Sequence, residues 1–321
     1  MDKKFANLLC DPKTGEELQF VAVEVVGSEV ITGRLTSSKN VYPIKNGIPR
    51  FVEDEGYSNN FGWQWNKWAR VQFEDENVGL PMENYTRNMF GRITELSREK
   101  LNGKLILDMG CGSGRFTDIA TEFGATVIAI DYSSAIDAAK DNFAGSMKDI
   151  CFIQGDALQL PLKENSVDFS FSIGVLHHTP SPKTGVDEAY RVTKPDGEFS
   201  ISVYGSSGYY TFTTVQFWRR FFKFLWLFFK HWPPLIYSHI VTRALRPIAR
   251  VSKVLCLPFR VIFPFVNLPD LRWSILDTFD SITPSYQSGH ECFEVYTWFK
   301  EAGFSGIRPA SWGYTNFIGR K

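Results

Sequence analysis

Leu105-Ile106-Leu107-Asp108-Met109-Gly110-Cys111-Gly112-Ser113-Gly114 is the stretch on which the fold turns. A short apolar run ends in a carboxylate and passes into a glycine-rich turn, the pattern of a buried strand reversing into a helix. Glycines at such a turn let backbone approach a ligand closely, and open α/β sheets bind ligands at the carboxyl ends of their strands. A dinucleotide site of the G-x-G-x-x-G type, counted from Gly110, needs a small residue at 115, where Arg115 stands. Asp108 would also repel a pyrophosphate. A carboxylate there suits a cationic ligand instead.

Outward from that turn the chain alternates. Strands are expected at 104–109, 125–130, 150–154, 167–174 and 198–204, with helices at 115–123, 133–144 and 184–194 between them. Ser133 or Ser134 would cap the second helix, with Asp131 at the tip of the strand before it. Such βα units predict a parallel sheet with helices on both faces. A helix at 291–302, ended by Gly303, and strands near 305–311 and 314–320 close the pattern. Residues 1–52 read as a small β-rich module, with β-prone runs at Leu18–Val23 and around Val41–Phe51 separated by Gly, Ser and Asn. Residues 53–100 read as a helical cap or linker, and 101–321 as the core, interrupted at 205–285 by an aromatic, basic insertion.

The composition bounds the partners. A 44% hydrophobic chain of 321 residues can bury a real core, which excludes a mainly disordered protein. Lys plus Arg equals Asp plus Glu, 35 against 35, so no global charge draws the chain to DNA. The charges are unevenly placed, however. No acid occurs between Glu198 and Asp270, where nine Lys and Arg give +9 and leave −9 for the remainder. Five singly placed cysteines, no secretory leader and no 18-residue charge-free apolar run predict a cytoplasmic protein, one that could lie at the inner membrane face.

Asp131 lies 23 residues beyond Asp108, a spacing suited to a carboxylate that accepts both ribose hydroxyl protons. Gly155-Asp156-Ala157 follows the third strand, where an acceptor could meet an adenine amino group. Together these predict a site for a nucleoside with a positively charged tail, and S-adenosylmethionine is that ligand. LDMGCGSGRF, VIAIDYS, GDALQLPL, VDFSFSIGVLHHT and EAYRVTKPDGEFSISVY, in that order, resemble the class I S-adenosylmethionine-dependent methyltransferases over about 100–205 and 290–320. The resemblance implies a Rossmann-like seven-stranded sheet, mostly parallel with a closing antiparallel hairpin. It also implies that Asp108, Gly110 and Gly112 shape the methionine end and that Asp131, with Tyr132 beside it, holds the ribose. Asp156 and Ala157 would meet the adenine, and Ile173 and Gly174 would border the methyl.

His177 and His178 follow the fourth strand and are candidate general bases, needed only when the acceptor is an alcohol or a protonated amine. The alternative is that they order the loop. The L-H-H phrase resembles that of ubiquinone and menaquinone methyltransferases. Phe61-Gly62-Trp63-Gln64-Trp65 resembles a phrase that precedes the core in a group of bacterial methyltransferases, which implies a cap over the cofactor pocket. LLCDPKTGEELQF and VYPIKNGIPRFV resemble a zinc-ribbon-like module, but Lys13 stands where the second cysteine of a pair with Cys10 would fall, so the ribbon reads as degenerate and metal-free.

Phe217–Lys230 predicts a helix with Arg219, Lys223 and Lys230 in a stripe, Arg220 beside them, opposite a wide aromatic face. Such a helix, with the basic stretch that follows to 266, suits an anionic membrane surface. The alternatives are a lid, a homodimer face or an anionic soluble substrate. The expected reaction is methyl transfer to oxygen or carbon of a small hydrophobic or lipid-linked acceptor. The rival readings are a tRNA or protein methyltransferase and a non-catalytic cofactor-binding subunit.

Overall fold

A computed structural model of the chain describes residues 1–52, 59–207, 209 and 213–321. The first residues of the expected 53–100 cap, 53–58, and positions 208 and 210–212 of the insertion lie outside the described residues.

Four strands, β1 (Gln19–Val26), β2 (Glu29–Thr36), β3 (Val41–Lys45) and β4 (Ile48–Pro49), form an antiparallel sheet in chain order. Asn46 and Gly47 both take positive φ, 52° and 71°, and join β3 to β4 in a two-residue hairpin whose sequence suits the twist of the strands. Strand β2 was not expected, because Gly33 and the flanking Gly27-Ser28 mask its alternation. Its Val30 and Leu35 are nevertheless fully buried.

Helices α1 (Asn59–Lys67), α2 (Tyr85–Thr94) and α3 (Arg98–Leu101) lead into β5 (Leu105–Met109). Then follow α4 (Arg115–Glu122), β6 (Thr126–Asp131), α5 (Ala135–Asn142), β7 (Ile150–Gln154), β8 (Val167–Ile173), α6 (Pro182–Val192) and β9 (Thr193–Ser202). The insertion forms α7 (Thr213–Phe229), α8 (Trp232–Val251), α9 (Lys253–Ile262) and α10 (Leu271–Ile282). Helix α11 (Cys292–Ala302), β10 (Ser305–Pro309) and β11 (Asn316–Arg320) complete the chain, and Gly303 ends α11 as expected.

The large sheet has the order β10-β11-β9-β8-β5-β6-β7, with β11 antiparallel to both its neighbours and the rest parallel. It is the seven-stranded Rossmann-like fold expected. The chain winds from β5 through β6 to β7, then crosses back to β8 on the other side of β5. That reversal opens a crevice beyond the carboxyl ends of β5 and β8, the place where such sheets bind ligands. Strand β9 begins five residues earlier than expected, directly after α6, and runs through Pro195 and Gly197 before the apolar run.

Both faces of the sheet are covered. One packs Leu107, Ile128 and Ile153 into a single core with Val30, Leu35 and Ile44 of the small sheet and with Phe299 of α11. The other packs Ile106, Val127 and Phe171 with Phe90 of α2 and Phe116 of α4. The small sheet also extends the large one. Arg50 bridges Gln154 in parallel, and Phe51 N–H donates to the Gln154 carbonyl at 2.8 Å, so the chain after β4 runs along the open edge of β7.

Helix α7 differs from its expected pattern. Arg219 turns inward with Val215 and Phe222, donating to the Ser281 carbonyl and to Gln287. Lys223 and Arg220 stay exposed, on the same outward side as the exposed Phe217, Phe221 and Phe224. The basic and aromatic residues are therefore interleaved rather than opposed. The reason is that a guanidinium can be buried when carbonyl and amide oxygens receive it. No helix among the described residues is long and apolar enough to cross a membrane.

Candidate active site

The crevice is a cavity of about 400 Å³, walled on one side by the strand tips and on the other by α1 and α10. The turn after β5 makes its floor. Gly110 has φ +83°, and a Cβ there would meet Val175 at 2.3 Å, so only a bare backbone fits. Asp131, at the end of β6, faces the cavity with both oxygens engaged. One accepts from Gly112 N–H at 2.9 Å, the other from Ser133 N–H at 2.9 Å and Ser133 Oγ at 2.7 Å. These bonds hold the carboxylate in one orientation beside the glycine turn. Ser133 Oγ in turn accepts from Ala135 N–H, which starts α5.

Gly110, Gly112, Asp131, Tyr132, Ala157, Ile173 and Gly174 all line the cavity, as does His178. Three expected site residues do not. Asp108 is buried behind the turn, where its carboxylate accepts from Thr117 Oγ1 at 2.7 Å. Burial pushes its pKa up to about 7, the Thr117 bond opposes that, and Asp131 adds to the rise. Asp156 turns back on its own loop, accepting from Leu158 N–H, while its neighbours Gly155 and Ala157 reach the cavity. His177 is fully buried, with its ring 3.8 Å from that of Tyr204 and neither nitrogen hydrogen-bonded among the described residues. Burial holds its pKa well below the ordinary value, so it stays a neutral packing group outside the cavity.

His178 is placed differently. Its Nδ1 lies 2.9 Å from the Tyr286 carbonyl, which can only accept, so Nδ1 carries the proton and the neutral ring has its lone pair on Nε2. Burial lowers its pKa, while nearby Asp280 and the Tyr286 bond act in the opposite sense. The ring packs 4.9 Å from Phe61. Near neutral pH this histidine is a proton acceptor at the cavity wall.

The Phe61–Trp65 cluster forms most of α1, and its alternate residues do different things. Phe61 and Trp65 line the cavity. Trp63 points to the insertion, stacking on His231 at 3.9 Å and packing against Phe279. Gln64, fully buried, donates to Asp280 of α10 at 3.0 Å. The helix thus ties the insertion to the glycine turn.

Sequence reasoning missed the contribution of α10. Asp270, Asp277 and Asp280 are the only acids of the insertion. Asp270 caps α10 by accepting from Arg272 and Trp273 N–H, and the other two face the cavity together with Arg115. Burial pushes Asp277 up to about 7, Asp280 adds to the rise and Arg115 opposes it. The isolated i, i+3 pair of acids after a long acid-free run was the available signal.

The small sheet reaches the site through one relay. Arg50 donates to Asp137 of α5 and to Gln154 Oε1, and Gln154 Nε2 donates to the Tyr132 carbonyl at 3.1 Å. That relay fixes the loop carrying Asp131 and Tyr132.

Residues 107–201 match the model of a methyltransferase domain family. The chain is 35% identical over 102 residues to a sterol 24-C-methyltransferase of Pneumocystis carinii, an alignment covering 30% of this chain and 27% of that protein. It is 33% identical over 115 residues to a demethylmenaquinone methyltransferase of Renibacterium salmoninarum, covering 35% and 46%. With an uncharacterized chloroplastic methyltransferase of Arabidopsis thaliana the identity is 32% over 171 residues, covering 50% and 43%. The chain spans less than half the length of these relatives. Gly110, Gly112, Asp131, Ala157, Ile173 and Gly174 all fall within the matched segment, at the tips of the strands that wall the cavity. Residues 107–201 thus match a methyltransferase domain, and they lie in a seven-stranded Rossmann-like sheet.

Proposed function

We propose that the whole chain transfers a methyl group from S-adenosylmethionine to oxygen or carbon of a small, largely apolar acceptor. The observation that carries this is a cavity whose strand-tip wall is backbone and carboxylate and whose opposite wall sets the rings of Phe61, Trp65 and Trp273 beside the acids Asp277 and Asp280. The strand-tip wall fits the cofactor. Gly110 presents bare backbone to the cavity, its missing side chain making room for Val175 behind it, and Asp131 is pre-oriented to accept from vicinal hydroxyls. When bound, S-adenosylmethionine supplies an electrophilic methyl on a sulfonium. Asp131 would hold the ribose, with Tyr132 beside it, and Gly155 and Ala157 would border the adenine.

The aromatic wall orients an apolar acceptor, excludes water and faces a sulfonium favourably through its π electrons. Nε2 of His178 takes the proton when the acceptor atom is a hydroxyl. Sterols and demethylmenaquinone, named as substrates of two relatives, are both largely apolar, which supports this acceptor class. On the same reading residues 1–52 are a ribbon-like module held by hydrogen bonds. Buried Asp11 gathers Ser37, Asn40, Tyr42 and the Lys13 N–H, which outweigh its burial and keep it well below the usual carboxylate range.

The test is transfer of labelled methyl from S-adenosylmethionine into an extract of cells lacking the protein, separated into organic, aqueous and macromolecular fractions. Label in the organic fraction is expected. Label confined to RNA or protein would overturn the acceptor class, and binding of the cofactor without any transfer would favour a non-catalytic subunit.

A further inference from the structure

Helices α7, α8 and α9 expose more large apolar surface than a domain of this kind leaves in water. On α7 the outward stripe is Phe217, Phe221, Phe224 and Phe228, spaced three or four residues apart, and Leu227 beside it is 76% exposed. On α8 the stripe continues as Trp232, Ile236 and Ile240, each more than half exposed. On α9 only Cys256 is buried, and Val254, Leu255, Leu257 and Ile262 all face outward. Scattered exposed apolar residues need no explanation, but runs on three successive helices do.

The charges in the same helices are of one sign. Arg220 and Lys223 stand among the phenylalanines of α7, and Lys230 at its end. Arg243 and Arg250 continue the outward stripe of α8 beyond Ile240, and Lys253 opens α9. All six are exposed, and no acid occurs from 199 to 269. The two inward cations donate to oxygens of the protein, Arg219 to the Ser281 carbonyl and Gln287 Oε1 and Arg246 to the Leu268 and Pro269 carbonyls. The exposed cations have therefore been kept outside among aromatics, not left there for want of internal partners.

We propose that this face of α7, α8 and α9 lies on an anionic lipid bilayer, with the aromatics at the acyl boundary and the lysines and arginines at the headgroups. Three features select that occupant. Bulky aliphatic and aromatic side chains interleaved with cations, without acids, match an interfacial surface in both apolarity and charge. A second copy of the same face would bring six cations against six cations across a symmetric contact. RNA would use the cations but leave the valines, leucines and isoleucines of α9 without partners. The face rests on the bilayer and does not enter as a span, since no helix among the described residues is long and apolar enough to cross. Because α10 both ends the insertion and lines the cavity, docking would set the acceptor side of the site next to the membrane.

Co-sedimentation of the full chain with vesicles tests this without reference to catalysis. Binding is expected to vesicles of equal parts phosphatidylglycerol and phosphatidylcholine at low salt, with loss of roughly tenfold or more in affinity at high salt. Vesicles of phosphatidylcholine alone should bind far more weakly. Lys223→Glu with Lys230→Glu should cost more than about twentyfold, near fivefold for each cation removed. Phe224→Ser with Leu227→Ser should weaken binding at every salt concentration, and both pairs are exposed enough to leave the fold intact. Cofactor affinity, measured alongside, should not change in either variant, which separates failure of docking from failure of the site. No binding to phosphatidylglycerol vesicles at low salt overturns the proposal. So does a stable dimer in sedimentation that is dissolved by Phe224→Ser with Leu227→Ser, or RNA binding that Lys223→Glu with Lys230→Glu abolishes while vesicle binding persists.

Discussion

The two walls of the cavity are built on different principles. The strand-tip wall is mostly backbone, with Gly110, Gly112, Ala157 and Gly174 standing beyond the ends of three parallel strands, β5, β7 and β8, and Asp131 pinned by its neighbours at the end of β6. The opposite wall is all side chain, Phe61 and Trp65 from α1 and Trp273, Leu276, Asp277 and Asp280 from α10. A wall of backbone fixes one ligand shape and tolerates little change. A wall of helix-borne side chains can be re-shaped without disturbing the sheet. The strand-tip wall falls within the segment that matches a methyltransferase domain, and the side-chain wall falls outside it.

Substitutions on the two walls should therefore fail in different ways. The largest effect is expected at the seam, where His178→Gln should lower kcat by about a hundredfold while cofactor affinity stays within a few-fold. An unchanged kcat would mean that the acceptor atom needs no base. On the strand-tip wall, Gly110→Ala must place a Cβ at φ +83° against Val175, and should cost about 2 kcal/mol or more in denaturant unfolding along with cofactor binding. Asp131→Ala should weaken cofactor binding at least about tenfold by calorimetry, with the acceptor KM little altered. Equal losses for cofactor and acceptor would break the division between the walls.

The smallest effect belongs to the side-chain wall and is a pH dependence. Asp277 is pushed up to about 7 in the folded protein, so the native state must give up a proton that the unfolded chain loses near pH 4. Its contribution to stability is therefore full at low pH and is lost as pH rises through 7. Between pH 6 and 8 the ligand-free protein should lose about 1 kcal/mol through this group. Asp277→Asn should reduce that slope by about half, leaving the share of buried Asp108, which is also pushed up to about 7, and an unchanged slope would place the whole titration on Asp108.

Much of the strand-tip wall was legible in the sequence. Strands β5 to β8 are short apolar runs bounded by glycine, aspartate and serine, and their ends fall within a residue or two of where that pattern puts them. The glycine turn and Asp131 follow, because a parallel strand delivers its next residues to one end of the sheet. The rest depends on packing that no local pattern encodes. Arg219 belongs to the basic stripe by angle, yet Ser281 and Gln287 draw it inward. Asp108 and His177 have the right neighbours in sequence but sit behind the turn, one on Thr117 and the other under Tyr204. Asp277 and Asp280 could be seen as a pair, but nothing in α10 alone says that its acidic side meets the β5 turn.

The addition of Arg50 and Phe51 along β7 bears on how the chain would behave in pieces. Without residues 1–52, the backbone of Gln154 at the end of β7 would lose its pairing with Arg50 and Phe51, and Leu107, Ile128 and Ile153 would lose part of their cover. An open edge beside a bared apolar face is a template for pairing with other chains. Material shortened to the sheet that carries the cofactor site would self-associate, so the small N-terminal sheet doubles as the molecule's own guard against aggregation.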